Sequence, residues 1–489
     1  MKILLINPPA DNLIEAYINK DGDVGIDIAN YGSFPPLGLL YILAYLEKYA
    51  PQHELHLIDC ISEKISYKKL EEKILEIKPD LVGISSFSVV LIDIVNVAKI
   101  IKKHLPNTHI CMGGHHCMCF PEEAISIKEI DSIIVGEGEK SFCQLANALE
   151  QNKPIENIEG LYTKISMAKT KEAQVSDDKS LLYSLKLKPS FTDNLDDLPF
   201  PARKYLSHIK FFSVIGVSDK FTTIISSRGC PYHCTMCDVP YKKYRSRSVK
   251  NIVDEIEQCV KEGYEEFHFY DDMFNITPQR VIDFSQELIR RKLKIIWDFR
   301  GRVNTVTKES LEIAKKSGLR MISFGVETGT DEGLKYIRKE ITIEQIKRAF
   351  KICKELKIKT VADFMIGLPF ERTKQDIINN INFCISLKPT YAMFSVLTIY
   401  PKTPLYYQAI EKKLIDPNKW EKFCLNPSKD FQLDLWEEFF TRDELVSFLG
   451  FAYKKFYLRL SYIIQSIKNL TTITEFKRKV NAFFVLIRK

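Results

Sequence analysis

Three closely spaced cysteines constrain this chain more than any other feature of its sequence. Cys230, Cys234 and Cys237 lie in the segment SSRGCPYHCTMCDVP, separated by three and then two residues, directly after a predicted strand. A loop with this spacing can wrap three thiolates around one metal cluster, and a four-iron cluster normally takes four cysteine ligands. The segment therefore predicts one 4Fe-4S cluster whose fourth iron is free for another ligand.

Zinc is the alternative ligand for this segment. Zinc sites usually combine a Cys-x2-Cys pair with a second ligand pair further along the chain, and the sequence contains no matching second pair. The N-terminus MKILLINPPA lacks the features of an export signal, so disulfides among the 12 cysteines are not expected. We predict a cytoplasmic protein with an iron-sulfur cluster. Six isolated cysteines are predicted to be buried packing residues: Cys60, Cys143, Cys259, Cys353, Cys384 and Cys424.

Alternating apolar strands and helices predict an α/β protein of several domains. Residues 1–150 are predicted to form a doubly wound, Rossmann-like parallel sheet, and residues 220–410 a partial (β/α)6 barrel. Residues 151–219 are predicted to be a connector with a small hairpin, and residues 411–489 a helical C-terminal region. Strands are predicted at residues 3–6, 55–58, 81–85, 109–112 and 132–135, and then at 222–227, 265–270, 295–299, 321–326, 360–366 and 392–399.

The cysteine segment resembles the signature of the radical S-adenosylmethionine superfamily, and the resemblance extends over residues 220–410. It implies that S-adenosylmethionine binds the open iron and is cleaved there to a 5′-deoxyadenosyl radical. It also implies cosubstrate contacts beside the third cysteine and at successive strand ends. These are Met236, where the family often has an aromatic residue, then Asp272, Glu327, Gly367 and Leu368. A strand-end acid can instead cap a helix, and Gly-Leu-Pro can be only a turn.

The loops of the first domain resemble a cobalamin-binding module through the phrases ILLINPP, PDLVGISSFS, GGHH and DSIIVGEGE. The resemblance implies cobalamin contacts at Asn7, Pro8, Ser85, Ser86, Gly113, Gly114, Gly136, Glu137 and Gly138. Serine hydroxyls can hydrogen-bond the nucleotide tail, and glycines can admit it against the backbone. The loop after the first strand lacks the histidine with which many such modules ligate cobalt. His115 and His116 are alternative ligands, and the roles of Cys117 and Cys119 stay open.

The two modules, joined by DDLPFPAR, together resemble the class B cobalamin-dependent radical enzymes. This implies methyl transfer to an unactivated carbon or phosphorus of a small-molecule or lipid-like substrate, with a flavodoxin- or ferredoxin-type electron donor. A radical cyclase, oxidase or rearrangement enzyme without methyl transfer is one alternative, and a cobalamin-binding sensor with a structural cluster is another. An RNA-modifying methylthiotransferase would carry further N-terminal cluster cysteines, an arrangement that this sequence does not show.

The positive charge of the chain is concentrated at its C-terminus. The formal net charge is +7, and residues 451–489 contain nine Lys or Arg and the single acid Glu475. The remainder of the chain is near neutral, so no nucleic-acid groove is predicted. We expect a helical cap over the barrel with a basic face. Peripheral contact with an anionic membrane through this tail is the alternative.

Overall fold

The computed structural model describes residues 1–14, 32–170 and 187–468, which form two compact units. Of these residues, unit 1 holds 1–14, 33–170, 187–211 and 415–433, and unit 2 holds 32, 212–414 and 434–468. The four-segment division of the sequence stays a prediction.

The strands are β1 (Lys2–Asn7), β2 (Gly32–Ser33), β3 (Glu54–Asp59), β4 (Leu81–Ser85), β5 (His109–Gly113), β6 (Ser132–Ile134), β7 (Leu161–Thr163), β8 (Phe212–Ser213), β9 (Phe221–Ile224), β10 (Ser227–Arg228), β11 (Arg245–Ser246), β12 (Glu266–Phe269), β13 (Ile296–Gly301), β14 (Leu319–Glu327), β15 (Lys359–Ile366) and β16 (Tyr391–Val396). The α-helices are α1 (Leu37–Tyr49), α2 (Tyr67–Ile77), α3 (Leu91–His104), α4 (His115–Cys119), α5 (Pro121–Ser126), α6 (Gly138–Glu150), α7 (Lys164–Thr170), α8 (Val249–Lys261), α9 (Pro278–Arg290), α10 (Lys308–Lys316), α11 (Asp331–Tyr336), α12 (Ile343–Glu355), α13 (Lys374–Leu387), α14 (Pro404–Glu411), α15 (Lys419–Leu425), α16 (Arg442–Tyr457) and α17 (Leu460–Lys468). Each strand predicted from the sequence is present.

Unit 1 is built on a six-stranded sheet in the order β3-β1-β4-β5-β6-β7. The first five strands are parallel, and β7 pairs antiparallel with β6. The central strands are continuous apolar runs with buried residues such as Leu4 and Ile84, as expected for strands covered on both faces. Because β1 lies between β3 and β4, the strand order reverses there. Ligands of doubly wound sheets bind beyond the carboxyl ends of the strands at such a point.

The connector differs from the prediction in one respect. In its described part, Leu161–Thr163 does not form a hairpin within the connector and instead becomes the edge strand β7 of the main sheet. Further along, Ser190 forms an isolated bridge with Gly136. The connector therefore extends the sheet of unit 1. Without β7, the outer edge of β6 would present unpaired backbone groups, and β7 supplies their hydrogen-bond partners.

A short C-terminal segment also packs within unit 1. Trp420 on α15 is fully buried and stacks on Phe120, with ring centroids 5.8 Å apart. On its other side it meets the ring of Phe431 edge-on at 4.8 Å. Packing among these three aromatic rings is a large apolar contribution, which explains why residues 415–433 belong to this unit.

Unit 2 contains a second six-stranded parallel sheet, in the order β16-β15-β14-β13-β12-β9. Neighbouring strands follow one another along the chain with helices between them, which is the arrangement of a partial (β/α)6 barrel. One face carries the apolar core, with Phe267, Trp297, Phe324 and Phe364 fully buried against the helices. Five of the connecting helices begin at a Ser or Thr whose hydroxyl accepts a backbone N–H of the first turn: Ser248, Thr277, Thr307, Thr342 and Thr373. Such caps fix where each helix starts.

Tyrosine hydroxyls hydrogen-bond the backbone along β16, which is an edge strand of this second sheet. The hydroxyl of Tyr453 accepts from the N–H of Phe394 at 3.2 Å and donates to its carbonyl at 3.0 Å. Tyr457 does the same for Ala392, at 3.1 and 2.9 Å. Tyr462 donates to the carbonyl of Thr390. Edge strands otherwise present unpaired backbone groups that promote association of chains.

We expect Tyr457→Phe to lower the free energy of unfolding by about 1–2 kcal/mol, because it leaves a backbone N–H and a carbonyl of the edge strand without their partner. Denaturant unfolding measures the loss. Tyr407→Phe, at a side chain that is 53% exposed, is the matched control and should change little. Equal effects of the two substitutions would show that the hydroxyl does not protect the edge.

Among the described residues, no helix is long and apolar enough to cross a membrane.

Candidate functional site

The cysteine segment forms the loop of a short hairpin after the first strand of the unit 2 sheet. Strands β10 and β11 pair antiparallel and enclose residues 229–244. Cys234 is buried, while Cys230 and Cys237 are partly exposed, and all three are free thiols. The structure thus places the three predicted ligands together on one loop, at the carboxyl end of β9.

Backbone contacts fix the position of the first cysteine. The N–H of Cys230 donates to the carbonyl of Tyr241 at 3.1 Å. Gly229 adopts a φ of +81°, and a Cβ there would lie 2.5 Å from the carbonyl oxygen of Lys243. Only glycine accommodates both the left-handed conformation and this close approach. The two arms of the loop therefore meet directly at Gly229 and Cys230.

The donor set fits an iron-sulfur cluster. Burial raises the pKa of Cys237 to about 11 and also raises the pKa of Cys230, so both thiols are protonated in the metal-free chain at neutral pH. Metal binding reverses this, because thiolates are the ligating form and their protons are released. Three soft sulfur donors on one loop suit iron-sulfur clusters. The assignment of the three cysteines as ligands stays a prediction.

Two neighbouring segments hold the cysteine loop from the side. The N–H of Thr235 donates to the carbonyl of Ile337 at 3.0 Å. The buried guanidinium of Arg302 lies over the ring of Tyr232 at 3.5 Å and also donates to the carbonyl of Lys339. A planar guanidinium can stack and hydrogen-bond at once. Met236 is buried within this same loop, and its predicted contact with the adenine stays a prediction.

Glu327 lies at the end of β14 and is held by a buried lysine. Its carboxylate is 2.5 Å from the ammonium of Lys339, which is 9% exposed. Burial alone would lower the pKa of Lys339, but the negative charge of Glu327 and its hydrogen bond act against burial, and the pKa is raised. Glu327 also has a φ of +67°, a conformation that costs free energy for a residue with a side chain and is common at functional sites. The pair lies beside the cysteine loop.

A buried carboxylate connects the loops after β14 and β15. Glu371 accepts the N–H groups of Gly367 at 2.8 Å and Leu368 at 3.0 Å, and the side-chain amide of Asn380 at 2.9 Å. Asn380 in turn accepts the N–H of Gly329. Burial raises the pKa of Glu371 to about 7. Sequence reasoning found Gly367 and Leu368 but missed the two residues that position them.

The two aspartates at the end of β12 differ in role. Asp271 is fully buried and accepts the N–H and hydroxyl of Ser226 and, at 2.8 Å, the hydroxyl of Ser227. It therefore fixes the chain just before the cysteine loop. Asp272 is exposed. Asp272 is therefore the accessible one of the two, and its contact with S-adenosylmethionine stays a prediction.

Polar residues on the inner face of the second sheet were missed by sequence reasoning. Ser323 donates to Asp363 at 2.9 Å, while the other carboxylate oxygen of Asp363 has no hydrogen-bond partner among the described residues. Arg300 is exposed on the same face and lies over the ring of Tyr270 at 5.0 Å. The sequence could have indicated these polar residues, because they alternate along the strands with the buried Phe299, Phe324 and Phe364. Successive side chains of a strand point to opposite faces of the sheet.

Asp363 predicts a pH dependence of stability. Burial, and then the negative charge of Glu327, raise the pKa of Asp363 to about 6 from an ordinary value near 3.8. A raised acid pKa stabilises the fold fully below about pH 4, and this contribution is lost as pH rises toward 6. We expect the free energy of unfolding to fall by up to about 2 kcal/mol more in the native chain than in Asp363→Asn over this interval. Denaturant unfolding at pH 4.5 and 6.5 measures this difference. An equal change in the free energy of unfolding for the two proteins would contradict the raised pKa of Asp363.

A second polar cluster lies on the same sheet where strands β12 and β13 begin. Asp298 accepts from His268 at 2.7 Å and pairs with Arg320 at 3.1 Å, and Arg320 also pairs with Glu266 at 3.2 Å. Glu266 and His268, with Asp298, could chelate a cation by their spacing. The guanidinium of Arg320 already supplies the positive charge there, so the cluster is a buried ion network.

In unit 1, the predicted cobalamin residues lie at the carboxyl edge of the sheet. Asn7 donates to Asp59 at 2.7 Å, which ties the end of β1 to the end of β3. Ser86 is buried and donates to the carbonyl of Gly113 at 2.8 Å. Pro8 is also buried, whereas Ser85 is partly exposed and Gly114 exposed. Ser86 therefore shapes the edge, and Ser85 and Gly114 stay available to a ligand.

Two glycines at this edge are explained by packing within the chain. A Cβ on Gly136, whose φ is +104°, would lie 2.2 Å from the carbonyl oxygen of Ser190. Glu137 accepts the N–H of Thr192 at 2.8 Å. Gly138 packs against Ile42, which would lie 3.1 Å from an added Cβ. Their predicted contacts with cobalamin stay predictions beside these roles.

The open question on the His-His-Cys-Met-Cys segment is partly answered. His116 is buried and pairs with the hydroxyl of Ser88 at 2.9 Å, while His115 stacks on Phe87 at 6.3 Å. Cys117 and Cys119 are buried, and burial raises the pKa of Cys117 to about 12. A thiol of this kind is unreactive. Cys117 is a packing residue in the structure, whereas the sulfur of Cys119 lies 3.5 Å from His115 Nδ1 and its role stays open.

The edge between β1 and β4 suits the tail of a cobalamin. Phe87 is 57% exposed there, next to the accessible Ser85 and Gly114, so the surface is apolar with a few hydrogen-bonding groups, as cofactor sites generally are. The loop after β1 is fixed by Asn12, which donates to Asp93 at 2.7 Å. The sequence of that loop contains no histidine.

Two protein-family models match separate parts of the chain. Residues 224–384 match the radical SAM superfamily, and residues 26–146 match the B12 binding domain. An uncharacterized methyltransferase of Pyrococcus horikoshii, PH0819, is 30% identical over 475 residues, covering 96% of this chain and 95% of that protein. The anaerobic magnesium-protoporphyrin IX monomethyl ester cyclase of Cereibacter sphaeroides is 29% identical and covers 89% of this chain and 68% of that one.

Among solved structures, the cobalamin-dependent S-adenosylmethionine radical enzyme OxsB with aqua-cobalamin bound is similar in fold. The match has a TM-score of 0.70 and 19% identity, and covers 100% of this chain and 71% of OxsB. The two-module fold predicted from the sequence is thereby confirmed.

Proposed function

Because this chain belongs to the cobalamin-dependent radical S-adenosylmethionine methyltransferase family, we propose that it transfers a methyl group to an unactivated carbon or phosphorus atom. We place the acceptor atom on a small-molecule or lipid-like substrate. The predicted enzyme class and the predicted cofactors, namely a 4Fe-4S cluster, S-adenosylmethionine and cobalamin, are confirmed.

The observation that carries the proposal is the match to PH0819 across almost the whole of both chains. A match of that extent includes both modules, the cysteine loop and the strand ends around it. The geometry adds support, because the residues at the ends of β14 and β15 are held in place by buried partners beside the cysteine loop. Preorganised groups of this kind raise rates by fixing reactant positions.

We assign the following roles to the chain's own residues. Cys230, Cys234 and Cys237 hold the cluster. Glu327 and Asp272 orient the cationic and hydroxyl groups of S-adenosylmethionine, and the backbone of Gly367 and Leu368, with Met236, contacts its adenine. In unit 1 the accessible edge residues Asn7, Ser85 and Gly114 hold cobalamin. When bound, the cluster supplies an electron for cleavage of S-adenosylmethionine, and cobalamin carries the methyl group.

Two products distinguish this reaction from others that use the same cofactors. We expect the reduced, cobalamin-loaded protein to convert S-adenosylmethionine into both S-adenosylhomocysteine, from methyl donation, and 5′-deoxyadenosine, from radical cleavage. S-adenosylmethionine with a deuterated methyl group allows mass spectrometry to follow the label into the product. A metabolite extract serves as the source of acceptor.

The outcomes separate the proposal from its main alternative. Formation of both products with transfer of the labelled methyl group supports methyl transfer. Formation of 5′-deoxyadenosine alone, with a label-free product, would instead indicate a radical cyclase or oxidase, a reaction class represented by the cyclase relative.

We also propose two partners. The first is an electron donor of flavodoxin or ferredoxin type, since the cluster needs one electron for each cleavage. Contact with an anionic membrane through the basic tail rests on residues 451–489, of which 469–489 lie outside the described residues.

A further inference from the structure

An unpartnered lysine is buried next to the cysteine loop. Lys242 is 5% exposed, and its ammonium nitrogen has no hydrogen-bond partner among the described residues. No acidic group of the described residues lies within ion-pair distance of it either. A buried charge without a partner is costly, so such lysines are nearly always paired. Lys242 therefore has no directly bonded anion in the metal-free chain.

The backbone places Lys242 beside the first cysteine. Its neighbour Tyr241 accepts the N–H of Cys230 at 3.1 Å, and its other neighbour, Lys243, approaches Gly229 so closely that a Cβ there would lie 2.5 Å from the Lys243 carbonyl oxygen. The segment 241–243 is thus packed directly on residues 229 and 230.

The negative charge of a cluster held by the three cysteines would supply an anionic partner for Lys242. Three thiolates around a 4Fe-4S core give a net negative charge, and reduction by one electron makes that charge more negative. A nearby fixed cation stabilises a site in proportion to its negative charge, and more strongly in a buried environment than in water.

Resting on the proposed function, we propose that Lys242 is a positioning residue whose ammonium compensates the charge of the iron-sulfur cluster and favours the reduced cluster. The charge of Lys242 destabilises the metal-free chain and stabilises the cluster-loaded one. A residue with only a packing role would differ, because removal of its side chain would destabilise both forms.

Lys242→Met tests the proposal, because methionine keeps much of the length of the side chain and removes its charge. In the metal-free protein, we expect the denaturant midpoint of Lys242→Met to equal or exceed that of the native chain. In the reconstituted protein without S-adenosylmethionine, we expect the reduction equilibrium of the cluster to become about tenfold less favourable, which is a fall of about 59 mV for one electron. Redox titration followed by electron paramagnetic resonance measures the potential.

Two further variants complete the test. Lys242→Arg keeps the charge and should keep the potential near the native value. Lys243→Met makes the same chemical change at an exposed neighbour and should alter neither quantity. A variant that retains its metal-free stability but loses iron faster than the native chain also supports the proposal.

An unchanged potential and unchanged iron retention in Lys242→Met would overturn the inference, as would equal destabilisation of the metal-free and loaded forms. Failure of the native chain to assemble a cluster would instead contradict the proposed function, so the two failures are distinguishable.

Discussion

Replacement of Cys234 with alanine is expected to lower reductive cleavage of S-adenosylmethionine by at least about 100-fold. Loss of an outer-shell partner of a metal ligand alone typically costs 10- to 100-fold, and this change removes a ligand itself. The thiol is buried in the centre of the loop, where its carbonyl accepts the N–H of Cys237 at 3.2 Å. A water molecule could replace this thiol as a ligand only by entering the loop. Iron content and 5′-deoxyadenosine formation after anaerobic reconstitution measure the effect.

Cys259→Ala is the matched control for this prediction. Cys259 is a buried cysteine on helix α8 of the same unit, and it packs in the apolar core of that unit. Its replacement should cost some stability through the cavity it leaves but should keep both iron and cleavage. Retention of native iron content by Cys234→Ala would exclude Cys234 as a ligand.

Replacement of Glu371 with alanine is expected to destabilise the protein by about 3 kcal/mol and to weaken S-adenosylmethionine binding at least tenfold. Glu371 is 3% exposed and accepts three N–H groups, and each buried donor left unpaired costs about 1–3 kcal/mol. The loss also frees the turn at Gly367 and Leu368, which we assign to the adenine. Denaturant unfolding and equilibrium dialysis measure the two effects.

Glu371→Gln provides a graded test of the same contact. Its oxygen can still accept from Gly367 and Leu368, but its amide then faces the amide of Asn380, whose orientation is fixed by Gly329 and by the carbonyl of Met365. We expect about half the loss seen in the alanine variant. Glu355→Ala, at an exposed acid on helix α12, should be nearly neutral. If the alanine and glutamine variants behaved like this control, Glu371 would not position the turn.

The strands and the cluster ligands could be predicted because their signals are local. Apolar β-branched runs of four to eight residues define strands by themselves, and the cysteine spacing lies within a single loop. For the same reason, the residues at strand ends such as Glu327 and Gly367 could be selected once the strands were placed.

Contacts between distant parts of the chain could not be predicted in this way. Nothing in the local pattern around Trp420 indicates that it packs on Phe120, 300 residues earlier in the chain. Likewise, the sequence predicts that Gly136 is a ligand-binding glycine, and only the structure shows Ser190 against it. Tertiary partners decide such positions, and one sequence does not specify them.

Electron paramagnetic resonance of the reduced, cobalamin-loaded protein, recorded before and after addition of S-adenosylmethionine, tests the central claim most directly. We predict signals from both a reduced 4Fe-4S cluster and, at partial reduction, the paramagnetic Co(II) state of cobalamin in the same chain, with the cluster signal altered by S-adenosylmethionine because that molecule binds the open iron. A cluster signal that S-adenosylmethionine leaves unchanged, or the absence of either signal, would contradict this account.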